Sequence, residues 1–244
     1  EDTGLLLSPG LHSNPDHSMW DRIYPAWYTL LFFEKIGQKF IFLVTDEKYK
    51  KDINGWSLKD LIKRLSGHEI QCFETLLYNK EAVQFPWIIY ALNGVGIDCV
   101  DKNCCVITHL NNENNIDYVQ KFVDNIYKVY NIERTIWNKN KNTNKKIIYA
   151  KNKRNYDGIE KLFKKMQIND YNFQIIDWSH YNFEQQLRLL NETAILVCGV
   201  GTARANSPFL PIGSIELQTN THNVHLYNNI NFFDCHFGTL TTCI

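Results

Sequence analysis

Short apolar runs alternate along this chain with segments in which apolar side chains recur every three or four residues. The apolar runs, which we interpret as strands, occupy 39–46, 69–74, 85–92, 104–110, 146–150, 173–177, 194–199 and 213–217. The periodic segments, which we interpret as helices, occupy 57–67, 116–129, 156–167 and 181–190. Strands that alternate with helices are typical of α/β proteins built on parallel sheets, and we predict that class.

Two of the helices carry specific local signals. In the 116–129 segment, Ile116, Val119, Phe122, Val123, Ile126 and Val129 recur at the spacing that places them on one helical face. The 57–67 segment opens at Ser57, a residue type that caps helix N-termini, and closes at Gly67, which is typical of a helix end. We therefore predict helices at both segments.

A polar stretch separates the two halves of the chain. Residues 138–146 read "NKNKNTNKK" and contain no apolar side chain, which is typical of an exposed linker. We place a domain boundary there and predict domains at 1–140 and 141–244. The second domain contains four short strands joined by three connections of helical length, which predicts a compact Rossmann-like half.

Composition excludes several classes of partner. The 244 residues include 26 basic and 26 acidic side chains, so the net charge is zero and no global field attracts nucleic acid. No apolar run approaches the roughly 20 residues that a membrane helix needs, which predicts a soluble segment, either cytoplasmic or in the secretory lumen. The chain does not begin with Met, so an upstream anchor could have been removed. Seven cysteines without a C-x-x-C pair predict reduced thiols and no zinc.

The loop after the 194–199 strand is the first candidate site. It reads "CGVGTARAN", in which Gly199 and Gly201 would let the backbone approach a ligand closely. The N–H groups of a following helix favour phosphate, and Arg204 could add a forked, charge-assisted contact. A G-x-G turn can equally serve a tight strand-to-helix connection for steric reasons alone. This loop alone does not distinguish between the two interpretations.

Two further segments should lie at the same edge of the sheet. Lys151, Lys153 and Arg154 directly follow the 146–150 strand, and two cationic loops at one carboxyl edge suggest a diphosphate held without metal. A solvated basic turn is the alternative. Glu216 comes at the end of the predicted 213–217 strand. It could accept both hydroxyls of a ribose, or it could be an ordinary surface glutamate.

These blocks together resemble the family 61 glycosyltransferases, a group that includes xylosyltransferases and the O-GlcNAc transferase of EGF repeats. The family shows a basic segment after a strand, a Glu-Gln pair opening a helix, an apolar strand with an HGAxLxN loop, F-x-P-x-G and I-E-L. The counterparts here are "YAKNKRNYDGIEKL", Glu184-Gln185, "AILVCGVGTARAN", 209–213 and 215–217. Within that loop the resemblance adds Thr202 and Asn206 to the implied donor-binding residues.

A second match lies near the start of the chain. The sequence "NPDHSMWDRIYP" at 14–25 resembles the N-x-x-H-x-x-x-D-x-x-x-P motif of the same family. His17 and Asp21 are four residues apart, so a helix would place them on one face. The resemblance implies that Asn14 belongs to the site, and Trp20 beside Asp21 could stack on a sugar. The alternative is that His17 caps or packs a helix and Asp21 pairs with a neighbouring cation.

Two positions depart from the family pattern. Val200 stands where the family loop has histidine, so no role for that imidazole can be carried over. Lys151 replaces the first arginine of the basic segment, which keeps the charge but not the bidentate fork. We therefore expect the donor contacts to differ in detail from those of the family.

The resemblance implies a GT-B-like architecture, in which two Rossmann-like domains face each other across a cleft. The first domain would hold the glycan or glycoprotein acceptor, and the second would hold the nucleotide-sugar. We expect the donor to be UDP-linked; it is a substrate, and no cofactor is expected. Transfer would invert the anomeric carbon, with Asp21 or His17 as base and the cations on the leaving diphosphate. The absence of Asp-x-Asp fits a metal-independent enzyme.

Two other functions remain alternatives. A degenerate transferase could serve as a sugar- or nucleotide-binding module, which Val200 favours and Asp21 with Arg204 disfavour. A nucleotide-dependent oxidoreductase could also use a G-x-G turn and a strand-end acid. It would ordinarily place G-x-G-x-x-G after its first strand, and this chain has no such pattern.

Overall fold

The computed structural model describes two compact units, Glu1–Tyr130 and Asn131–Ile244. The residues whose structure is described are 3–6, 18–32, 40–45, 50, 58–78, 88–90, 97–101, 104–107, 113–137, 145–151, 161, 165, 171–199 and 202–219. Within them the chain is an α/β protein with parallel sheets, which confirms the predicted class. No helix in these ranges is long and apolar enough to cross a membrane.

The first unit contains a parallel sheet with the order β3-β2-β1-β4. Its strands are β1 (Thr3–Leu6), β2 (Phe40–Val44), β3 (Gln71–Cys72) and β4 (Ile88–Tyr90). β2 is an apolar run in which all residues except Ile41 are buried, as expected for a strand covered on both faces. The order places the start of the chain between β2 and β4, and β1 was not among the predicted strands.

The helices of the first unit surround an aromatic core. They are a π-helical turn at Met19–Ile23, α1 (Tyr24–Phe32), α2 (Lys59–Ser66), α3 (Phe73–Leu77) and α4 (Glu113–Val129). α4 confirms the predicted helical face, because Val119, Phe122, Val123 and Ile126 are all buried. Phe122 contacts the rings of Trp20, Tyr24 and Trp27 at centroid distances of 6.0, 5.2 and 5.3 Å.

Two predicted strands differ from their expected form. The 69–74 run is extended only at Gln71–Cys72 and then turns into α3, because the chain leaves the sheet at its edge strand. The 104–110 run contains β6 (Cys104–Ile107), which pairs antiparallel with β5 (Ile97–Asp101) in a separate two-stranded sheet. A short connection of this kind can only reverse the chain, whereas a parallel partner would need a crossover.

The second unit contains the other parallel sheet, with the order β10-β9-β7-β8. Its strands are β7 (Lys145–Ala150), β8 (Tyr171–Ile176), β9 (Thr193–Gly199) and β10 (Ile215–Thr219). Ile147, Tyr149 and Val197 form a buried cluster in this sheet. Ile148, Leu196 and Cys198 alternate with them and are 0% exposed, so both faces of the sheet are covered.

The α5 helix (Phe183–Asn191) confirms the predicted helix at 181–190 and begins with a capping box. The Asn182 side chain accepts from the Gln185 N–H at 2.9 Å, and the Gln185 side chain accepts from the Asn182 N–H at 2.9 Å. Phe183, Leu187 and Leu190 recur on the buried face of this helix. The predicted helix at 156–167 lies almost wholly outside the described residues.

Hydrogen bonds attach the 131–137 segment, with which the second unit begins, to the rest of that unit. The Asn191 amide accepts from the Thr135 N–H and donates to the Glu133 carbonyl, each at 2.8 Å. The Trp137 N–H donates to the Ile212 carbonyl at 2.9 Å, and its indole donates to the Thr193 carbonyl at 3.2 Å. The division at 130 therefore comes earlier in the chain than the polar stretch that we took for the linker.

Gly213, the glycine of the 209–213 block, is fixed by the same segment. Its φ is +89°, a backbone conformation that residues with a side chain rarely adopt. A Cβ at this position would lie 3.0 Å from the Trp137 carbonyl oxygen. The glycine that contributed to the family resemblance thus has a local steric role: it lets the 131–137 segment lie close to the chain before β10.

We predict that Asn191→Ala destabilises the folded chain by about 1–3 kcal/mol, because the Thr135 N–H and the Glu133 carbonyl lose their partners together. Urea unfolding followed by tryptophan fluorescence measures the change. Asn172→Ala, at an exposed position on the edge strand β8, is the matched control and should change stability by less than about 0.5 kcal/mol. Equal stabilities for the two variants would contradict the prediction.

Candidate functional site

The strand order of the second unit defines one crevice. The chain runs from β7 outward to β8 on one side, and then returns to build β9 and β10 on the other side. The connections therefore leave in opposite directions at the carboxyl ends of β7 and β9, which is where open α/β sheets bind ligands. Ala150 and Cys198 are register partners, so these two strands end side by side.

Two predicted site residues are brought together at this point. Lys151 directly follows β7, and Gly199 is the last residue of β9. Lys151 is exposed, and its backbone N–H donates to the Ile176 carbonyl at 2.8 Å. The exposed side chain of Lys151 therefore starts at the edge where the two strands end. Lys153 and Arg154 lie outside the described residues.

The loop after β9 leads into a 3-10 helix at Thr202–Phe209. Gly201 lies outside the described residues. The backbone of Thr202 and Arg204 belongs to this helix, although their side chains are not described. Asn206 is 9% exposed, and its Nδ2 donates to Gln186 Oε1 at 3.1 Å. This side-chain hydrogen bond connects the 3-10 helix to α5, in addition to the backbone hydrogen bonds within the 3-10 helix.

The end of β8 contributes a polar turn to the same edge. Asp177 caps the 3-10 turn at Trp178–His180, and its carboxylate accepts from the Ser179 hydroxyl at 2.6 Å and from the Ser179 N–H at 2.9 Å. The hydroxyl and then the backbone N–H of Ser179 lower the pKa of Asp177, helped by the charges of His180 and Lys151. A stable anion therefore lies close to the candidate cation at Lys151.

Glu216 is more deeply buried than the sequence suggested. It is the second residue of β10 and is 1% exposed. Cys198 of the neighbouring strand donates its thiol to Glu216 Oε1 at 3.3 Å. The structure thus brings Glu216 and the end of β9 together, but in a buried contact and not at the exposed strand end that we expected.

Gln186 connects three parts of this edge and was not found from the sequence. Its Nε2 donates to the carbonyls of Trp178 and Tyr181 at 3.1 and 2.9 Å, while its Oε1 accepts from Asn206. The side chain therefore links α5, the turn after β8 and the 3-10 helix after β9. A glutamine on a helix gives no sequence signal of this kind, because all three partners depend on tertiary structure.

The candidate base lies in the first unit, on the π-helical turn that precedes α1. The Tyr24 N–H bonds to the Met19 carbonyl across this turn, and Asp21 is its middle residue. Single π turns in helices occur frequently at functional sites. The Asp21 side chain is not described, and Asn14 and His17 lie outside the described residues. Their assignment to the site stays a prediction.

Trp20, on the same turn, is buried at 4% exposure. Its ring packs against Tyr24 and Phe122, at centroid distances of 5.9 and 6.0 Å. Burial raises the pKa of Tyr24 far above its usual range, as expected inside an aromatic cluster. In this arrangement the indole offers little surface on which a sugar could stack.

Among the described residues, no cluster of three His, Cys, Asp or Glu side chains could hold a metal ion.

Part of the chain is similar to a known protein family. Residues 99–216 match a protein-family model described as Glycosyltransferase 61. No curated protein matches the chain. The matched region begins on β5 and ends at Glu216 on β10, so it includes Lys151, the loop after β9 and α5 but not the 14–25 motif. The match supports glycosyltransferase activity in general, with a sugar donor and an acceptor as substrates, and it supports a glycosyltransferase family 61-like assignment of the matched region.

Proposed function

We propose that this chain transfers a sugar from a UDP-linked donor to a hydroxyl group of a glycan or protein, with inversion at the anomeric carbon and without a metal ion. The observation that carries the proposal is the order of the second sheet. Its reversal between β7 and β9 lies within the family match and brings Lys151 and Gly199 to adjacent strand ends.

The donor diphosphate would bind at this crevice. Gly199 and Gly201 allow the phosphates to approach the backbone, and the N–H groups that open the 3-10 helix would donate to their oxygens. Lys151 and Arg204, with Lys153 and Arg154, would supply positive charge from two loops. Such cations stabilise the charge that develops on the departing diphosphate, and they do so from fixed positions.

Glu216 would hold the ribose. A hydroxyl is a stronger hydrogen-bond donor than a thiol, so we propose that a ribose hydroxyl replaces Cys198 as the partner of the Glu216 carboxylate. Because Glu216 is 1% exposed, this contact requires the carboxylate to become accessible when the donor binds. Thr202 and Asn206 lie on the same loop and would line the donor site.

The acceptor would be activated by the first unit in a GT-B-like arrangement. Asp21 or His17 would take the proton from the acceptor hydroxyl as its oxygen attacks the anomeric carbon, and Asn14 would help to orient them. The bond to the diphosphate breaks on the opposite side, so a single displacement inverts the configuration. Positioning of the two substrates supplies the remaining rate acceleration.

Nucleotide binding tests the proposal directly. We expect UDP at about 100 times its Kd to raise the melting temperature by about 5–10 °C, because binding at that concentration adds about 2.7 kcal/mol. A thermal-shift series with UDP, GDP and NAD measures this. Stabilisation by NAD alone would favour an oxidoreductase, and no response would favour a non-catalytic module. UDP release from a panel of UDP-sugars with and without EDTA, and the anomeric configuration of the product, complete the test.

Arg204→Ala should weaken UDP binding at least about tenfold without lowering the stability of the free chain, because a charge-assisted hydrogen bond to a phosphate is lost. Calorimetric titration with UDP measures the affinity. Arg188→Ala is the matched control, since Arg188 lies in the same unit and pairs at 2.8 Å with Glu184 on the surface of α5. Equal UDP affinity in both variants would place the diphosphate elsewhere.

Asp21→Asn should lower the turnover rate by about 10²–10⁴-fold and leave the affinity for UDP nearly unchanged, because it removes a general base and no donor contact. Initial rates at saturating donor, together with UDP titration, separate the two effects. Asp124→Asn, at an exposed position on α4 of the same unit, should retain activity. Loss of UDP binding in Asp21→Asn would remove Asp21 from the role of base, and His17→Ala would then be examined.

A further inference from the structure

The amide of Gln186 has one orientation that satisfies its surroundings. Its Nε2 carries two hydrogens and donates to the Trp178 and Tyr181 carbonyls, at 3.1 and 2.9 Å. Its Oε1 accepts from Asn206 Nδ2 at 3.1 Å. Rotating the amide by 180° would point its oxygen at the two carbonyl oxygens and its N–H groups at the Asn206 amide donor. All three contacts therefore require the same orientation of the Gln186 amide.

The 3-10 helix that contains Asn206 depends on contacts of this kind. It spans the eight residues Thr202–Phe209, whereas 3-10 helices longer than three or four residues are uncommon because their hydrogen bonds are poorly aligned. Its contacts with α5 include the Asn206–Gln186 hydrogen bond and the edge-on packing of the Phe209 ring against the Phe183 ring, at a centroid distance of 5.6 Å. The first of these is directional and fixes the register of the segment.

We propose that Gln186 is a positioning residue of the donor site. It holds the 202–209 segment against the turn after β8, and so fixes the backbone N–H groups that open this segment, which the proposed function assigns to the diphosphate. Gln186 does not touch the donor in this proposal, and it acts through Asn206 and the backbone that follows Gly201. The inference rests on the proposed function, because it assigns the diphosphate to this loop.

The neighbouring Gln185 provides a control within the same helix. Its side chain is exposed and accepts from the Asn182 N–H, which closes the capping box at the start of α5. Loss of that cap weakens the start of α5 without removing the link to Asn206. Gln186→Leu and Gln185→Leu therefore make the same chemical change at adjacent positions with different expected consequences.

The experiment compares the two variants of the full chain in two measurements. In Gln186→Leu, we expect the amides of 202–210 to exchange hydrogen for deuterium at least about tenfold faster, while β7 and β9 exchange as in the wild type. We also expect the Kd for UDP and the KM for the donor to rise about tenfold, with kcat at saturating donor within about twofold of wild type. Gln185→Leu should change neither exchange in 202–210 nor UDP affinity.

A second variant covers the case in which Gln186→Leu fails to fold. Asn206→Ala removes one donor and leaves both carbonyl contacts of Gln186 in place, and it should give the same loss of UDP affinity. Where both variants fold, the double variant should bind UDP no more weakly than Gln186→Leu alone, because the two residues act through one hydrogen bond.

The outcomes separate this inference from the function on which it rests. If the wild-type chain does not bind UDP, the proposed function fails, and the donor-site role of Gln186 fails with it. If the wild type binds UDP but Gln186→Leu binds equally well with unchanged exchange in 202–210, the positioning role alone is overturned. A fall in kcat with unchanged KM would also overturn it, because that pattern indicates a smaller folded fraction.

Discussion

The reversal of strand order between β7 and β9 is the constraint on which the second unit depends. Parallel strands cannot be joined by tight turns, so each connection must cross a face of the sheet, and the connections that follow β7 and β9 depart in opposite directions. A gap between loops at the carboxyl ends of these two strands is the geometric result. Lys151 and Gly199 lie at this gap because Ala150 and Cys198 are paired in register.

Polar side chains then fix the loops that border the gap. Asn191 holds the segment before β7, Asp177 shapes the turn after β8, and Gln186 joins that turn to the segment after β9. Each uses a side-chain amide or carboxylate to satisfy backbone groups that regular strands and helices leave open. Contacts of this kind favour one loop conformation, because breaking those that are shielded from water leaves a polar group unsatisfied.

The elements that the sequence predicted well are those with a strong local pattern. The helical spacing of Val119, Phe122 and Ile126 identified α4, and the apolar runs identified β7 and β9 to within one residue. β1 was not predicted because Thr3–Leu6 is too short to form a distinct run, and its place in the sheet depends on β2 and β4. The antiparallel pairing of β6 likewise depends on its partner, since an apolar run does not specify strand direction.

The candidate site shows the same limit. Positions next to a strand end, such as Lys151 and Gly199, could be predicted because the fold class determines where parallel strands end. The burial of Glu216 and the three contacts of Gln186 could not, since both depend on side chains from other elements. Trp20 was assigned to a sugar from its neighbour Asp21, whereas its ring lies in the aromatic core with Phe122.

The hydrogen bonds of Asn191 also bear on covalent modification. Asn191-Glu192-Thr193 has the form of an acceptor sequence for N-linked glycans. A glycan would be attached to the nitrogen that donates to the Glu133 carbonyl at 2.8 Å, and Thr193 is 0% exposed at the start of a central strand. In the folded second unit the acceptor nitrogen of this tripeptide is therefore engaged by the backbone, which disfavours glycosylation after folding.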